Sequence, residues 1–268
     1  MTNKDLISQY VDTGIGVPRY QFDKLSNNDK KTYLRKMTIT LKEKPKNVMY
    51  YYGELPEELQ LDVVKGDIEM IAHIENPSEK AQLISVRKNG YLIQHIKNPS
   101  ERIQIAAIKN QSGSLAFINN PTEKAQLFGV NKDGDRIRHV YDKGITPSVA
   151  VQVAALKENG NAIRYMKDPS DELKILAVRD YPYAIQWIET PTEEMQWLAV
   201  SFDERTISVI KNPTEKVQLL AVNREAKLIK DISNPSEAIQ LASVRKDPSV
   251  IDYIFHPSEA VQLAARGN

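Results

Sequence analysis

Apolar and polar positions in this chain recur at fixed distances from a row of prolines. Pro77, Pro99, Pro121, Pro147, Pro169, Pro191, Pro213, Pro235 and Pro257 stand 22 residues apart, except for one step of 26 between Pro121 and Pro147. Six residues after each proline is an apolar side chain, as in Leu83, Ile105 and Ile175. Nine after comes another, as in Val86, Ile108 and Val178. Between them, at eight, only small residues occur, such as Ser85, Ala107, Gly129 and Ala155. That spacing predicts a first helix of about ten residues, with the small column marking close passage of a second backbone. Gly90, Gly113, Gly134, Gly160 or Pro182 then breaks it. A further apolar pair three residues apart, such as Ile93 and Ile96 or Ile185 and Ile188, predicts a second, shorter helix of two turns. No period-two alternation persists across the units, so strands are not expected.

The junctions repeat as well. Asn-Pro-Ser-Glu at 76–79 and its relatives at 98–101 and 234–237 read as an Asn N-cap, a proline at N1 and a carboxylate at N3. Gln stands five after the proline in eight of nine units, with Lys174 the exception. One reading is a row of amides gripping a polymer. The favoured one is a ladder satisfying backbone groups in the next unit's turn.

Helices this short cannot bury their own apolar faces and are marginal alone. Stacked pairs can. The expected fold is all-α: a right-handed α-solenoid of about ten 22-residue two-helix repeats over residues 55–268, with a basic N-terminal helical cap over 1–54. The units are shorter than tetratricopeptide, ankyrin, armadillo or ordinary HEAT repeats. The array resembles leucine-rich-repeat-variant and HEAT-like repeat proteins, and its Asn-Pro-Ser-Glu-x-x-Gln units look like repeats of bacterial and phage proteins. That resemblance implies an origin more than an activity; for a phage-encoded protein the expected role is an inhibitor or adaptor acting on a host complex, such as a defence nuclease.

Charge narrows the partner little over the whole chain, since 36 basic residues face 35 acidic ones. Residues 1–54 differ, carrying ten basic against six acidic residues, most of them in 30–46. Lys30, Lys31, Arg35, Lys36 and Lys42 form a candidate basic patch there. The absence of cysteine excludes disulfides and thiolate chemistry. No run of about 20 apolar residues is present to span a bilayer. No apolar run follows Met1 either, so a cytoplasmic location is expected (the host cytoplasm if phage-encoded) with no membrane partner.

Function is best sought where the units differ. Eighteen after each proline stand His95, Phe117, His139, Tyr165 and Trp187, preceded in two units by Arg138 and Arg164. Ten after it stand Arg87, Lys109, Lys157 and Arg179. Together these are a candidate ridge of aromatic rings flanked by bases, the residue types that anchor interfaces. Tyr181, Tyr183 and Trp187 add an aromatic concentration. The plainer alternative is that the rings fill grooves between units. Two further features are the four extra residues in 141–146 and a C-terminal half-repeat that could meet a second copy.

No nucleophile, metal cluster or cofactor fingerprint emerges. The four histidines sit at repeat-defined places, and Gly14-Ile15-Gly16 lacks the rest of a phosphate-binding motif. Neither metal nor cofactor is therefore expected, and no catalytic residue. The leading expectation is a non-enzymatic scaffold binding a protein along one extended surface. The alternatives are a nucleic-acid binder using the basic helix and the Arg/Lys columns, and, more weakly, a HEAT-like DNA glycosylase.

Overall fold

The computed structural model describes residues 19–26, 28–30, 32–33 and 56–267. Among them there is no strand. Every unit begins with an α-helix, the first being Glu57–Gly66, followed by Glu79–Lys88 and Glu101–Asn110. The second element of most units is a six-residue 3-10 helix, as in Gly90–His95, Ser112–Phe117 and Gly160–Tyr165, whereas Gly134–Ile137 has four residues. The two-turn helix expected from the Ile pairs is thus wound at three residues per turn. Ile93 lies within that winding, Ile96 is the extended residue that ends it (φ −101°, ψ 116°), and both are buried.

The chain divides into two compact units, Met1–Gly129 and Val130–Asn268. In the first, helices 57–66, 79–88 and 101–110 pack in succession, and the 3-10 segments 68–73, 90–95 and 112–117 form a second row. In the second, helices 149–158, 171–180, 193–202, 215–224, 237–246 and 259–265 pack in the same way, with their own row of 3-10 segments. Within each compact unit, segments such as 90–95, 160–165 and 226–231 touch both their own helix and the next one, so a core layer is completed by a neighbour. No helix among the described residues is long and apolar enough to cross a membrane.

Three local readings change. The N-cap is the Ser or Thr after the proline. Ser100 Oγ accepts from the Ile103 amide at 3.4 Å, and Ser78, Ser148, Thr192, Ser236 and Ser258 cap their helices likewise. The acid then falls at N1, where it still meets the positive end of the helix dipole. The residue before the proline does something else. Asn98, Asp168, Asn212, Asn234 and His256 lie in the left-handed region, with φ between 47° and 55°, which Asn and Asp tolerate better than most residues.

Second, the helix break is made by one extended residue, not by glycine. Asn89 (φ −141°, ψ 104°) donates its amide to Ser85 O and accepts from the Tyr91 amide, ending one helix and starting the next. Asp67, Asp133, Asn159, Asp203 and Asp247 repeat that second cap.

Third, the column six after the proline is not the deepest. Four after it, Ala81, Ile103, Val151, Leu173, Met195, Val217, Ile239 and Val261 are buried, whereas Trp197 and Leu263 in the six-after column are nearly half exposed.

Part of the Gln column acts as a ladder, while Gln82, Gln152, Gln218, Gln240 and Gln262 bond to the proline carbonyl of their own unit. Gln104 Nε2 donates to Pro99 O at 3.0 Å, while its Oε1 accepts from the Thr122 amide of the next unit at 2.9 Å. Gln60 joins Ser78, and Gln196 joins Thr214, in the same manner. Outside, Lys80–Glu57, Arg102–Glu79, Lys124–Glu101 and Lys216–Glu193 pair successive helices.

Candidate binding surface

The 3-10 helices bury their middle positions, such as Leu92 and Ile93 or Ala184 and Ile185, so the positions that close them present the variable residues. In the first unit these are His95 and Phe117, both exposed. Phe117 meets Tyr91 edge-on with ring centroids 5.7 Å apart. Beneath that pair is Gly113, where a Cβ would lie 2.9 Å from the Tyr91 hydroxyl.

The second unit gathers more. Arg164 and Tyr165 close the Gly160–Tyr165 segment, and both reach the carboxylate of Asp135. The Arg164 guanidinium carbon is 4.6 Å from the Tyr165 ring centroid, which holds cation and ring in a stack. Asn159 Nδ2 donates to the other Asp135 oxygen at 2.9 Å. Trp187, one segment on, donates its indole N–H to Asn161 Oδ1 at 2.8 Å and leaves half of its surface open. Between Arg164 and Trp187 runs a groove of about 560 Å³, also lined by Met166, Lys167, Lys174 and Glu189. Tyr181 and Tyr183 stand 5.9 Å apart, with Tyr183 beside Asp203 and Arg205. Partial burial and the Asp203 charge push the Tyr183 phenol upward, and Arg205 holds Asp203 below the ordinary carboxylate range.

Arg138 and His139 lie beside the four extra residues. These extend the 3-10 helix into a helical turn, Arg138–Tyr141, which Gly144 ends at φ 73°. Burial, then the charges of Arg138 and Arg136, push the His139 imidazole below its usual pKa. Burial likewise lowers Lys143 and raises Tyr141, whose hydroxyl is buried without a hydrogen-bond partner.

The bases ten after the proline occupy a different face. Arg87, Lys109, Lys157 and Arg179 are exposed near the C-terminal ends of the α-helices. Arg87 and Lys109 line one groove with Leu83 and Ile105, and Arg179 lines another with Val149, Val153 and Leu176. Neither groove contains a residue of the 3-10 helices, so Arg87, Lys109 and Arg179 border the helix face and not the aromatic side chains of the 3-10 helices. Of the N-terminal patch, Lys30 donates to Asp23 O at 3.0 Å and lies 5.6 Å from the Phe22 ring centroid. Lys31, Arg35, Lys36 and Lys42 lie outside the described residues.

Sequence reasoning missed Asp135, Asn159, Asn161, Lys167 and Lys174. The break in the Gln column at Lys174 was the available signal, because that lysine lines the Trp187 groove where the repeat supplies an amide. Among the described residues no group of His, Asp and Glu is placed to hold a metal ion. Comparison with protein-family models, curated proteins and solved structures gives no match to this chain.

Proposed function

We propose that the chain is a non-enzymatic repeat scaffold that binds a protein partner along its 3-10 helices, with Arg164, Tyr165 and Trp187 as the anchor. The observation that carries this reading is a division of labour within the repeat. Positions that recur, including the Gln ladder and the small column, are spent on holding units together. Positions that vary face outward, and in one place they gather a half-open indole, a stacked Arg–Tyr pair and two lysines around a groove. Asn161 and Asp135 fix these side chains before any partner arrives, which lowers the entropy lost on binding. An inhibitor or adaptor role on a host complex is the form that the resemblance to phage repeats gives to this reading.

A photoreactive amino acid in place of Trp187, with capture from the native source and mass spectrometry, tests it. One protein enriched over the same probe placed at exposed Glu158 supports the scaffold. Crosslinking to nucleic acid instead supports the alternative reading.

A further inference from the structure

The helix face of the first unit carries a groove that the Trp187 surface does not use. It is a shallow, open groove of about 580 Å³ between helices 79–88 and 101–110, with Leu83, Ile105 and Ala106 along its floor. Its walls are cationic: Arg87, Arg102 and Lys109. One carboxylate lines it, Glu101, and Lys124 already holds that group at 3.0 Å. The hydrogen bond from Lys124 keeps the Glu101 carboxyl below its ordinary range, so it stays an ion committed to that lysine. Arg102 is tied to Glu79 at 3.5 Å, and the Lys109 ammonium stands 4.8 Å from the Phe128 ring centroid. Arg87 differs. Asn110 uses its backbone carbonyl at 2.9 Å, and its guanidinium has no ion-pair partner among the described residues.

An apolar floor between cationic walls selects among anions. A phosphodiester strand brings one charge per nucleotide, and those held over Leu83 and Ile105 would lose water without gaining a partner. A peptide can put carboxylates at the walls and apolar side chains on the floor, satisfying both.

We propose that this groove docks an acidic segment of a partner protein, with carboxylates on Arg87 and Lys109 and apolar side chains on Leu83, Ile105 and Ala106. The assignment rests on the protein-binding reading but uses a face separate from Trp187, so the two fail independently.

Fluorescence anisotropy of the full chain with a labelled glutamate–tyrosine copolymer tests it, with poly-L-glutamate and an oligothymidylate as comparators. The expected result is saturable copolymer binding that is tighter than either comparator. It should weaken at least about tenfold in the Arg87→Glu/Lys109→Glu double variant and stay unchanged in Trp187→Ala. The neutral pair Arg87→Gln/Lys109→Gln, with its unfolding midpoint measured, separates lost charge from lost fold and should weaken binding in the same direction. Oligothymidylate binding as tight as the copolymer, copolymer binding indifferent to both double variants, or no copolymer binding would each overturn the assignment. Trp187-dependent capture that survives any of these results leaves the other surface standing.

Discussion

The backbone oxygen of Ala107 lies 2.4 Å from where a Cβ at Gly90 would stand. Gly134 meets Ala155 at 2.3 Å, and Gly160 meets Ala177 at 2.5 Å, in the same way. The small column of one helix and the glycine opening the previous unit's 3-10 segment are therefore two sides of one contact. Gly90→Ala meets this backbone oxygen, which cannot swing aside as the Ser114 Oγ at 2.6 Å can, and should lower the unfolding free energy by about 1–3 kcal/mol. Gly66→Ala, with nothing within 4 Å, is the control and should be neutral or slightly stabilising. Denaturant titration of both variants checks this.

Gln104 is 4% exposed and joins two turns. Gln104→Leu leaves the Pro99 carbonyl and the Thr122 amide without their partner, and should cost about 1–3 kcal/mol. Gln262 is exposed and, among the described residues, its side chain bonds to Pro257 alone, so Gln262→Leu should cost much less. The difference between their denaturation midpoints measures the bridging role.

The two polar residues that flank Pro99 have separable roles. Ser100→Ala removes a cap and should cost about 1 kcal/mol. Asn98 has φ 48°, so Asn98→Gly should be tolerated while Asn98→Val should cost about 1–2 kcal/mol. Thermal unfolding of the three variants distinguishes these roles, and an Asn98→Gly variant destabilised as much as Ser100→Ala would return the cap to the asparagine.

His139 gives the fold a pH dependence of known sign. Its pKa in the folded chain is below the value of about 6.5 that an unfolded chain would show. As pH falls through about 6.5 the unfolded state takes the proton first, so stability falls with acidification and levels off below the folded pKa. Relative to wild type, His139→Gln should lose less stability between pH 7.5 and 5.5, read from unfolding midpoints at the two pH values.

Much of this was legible in the sequence because a repeat states its constraints many times. The proline ruler located each helix start, the small column announced the contact now seen at Ala107, and the Ile93–Ile96 pairs marked the second row. The N-cap was ambiguous because Asn, Ser and Thr all cap well. The deciding sign was that His256, a poor cap, occupies the asparagine place while Ser or Thr never varies after the proline. The winding of the second element was not legible, because Leu92 and Ile96 also stand four residues apart, as on an α-helix. What also could not be read was which variable columns share a face. The Arg87 and Trp187 columns lie eight positions apart in the repeat, with an extended residue between them, and the turn there sends them to different grooves.

The central claim is that outward, variable positions bind while inward, recurring ones hold the fold. Its most direct test is the affinity of wild type and Trp187→Ala for the partner captured at that site, measured at about 50 and 200 mM salt. The account predicts a loss of at least about tenfold in the variant at both salt concentrations, with the unfolding midpoint unchanged. Affinity that survives the substitution, or that collapses with salt in the wild type, would contradict it.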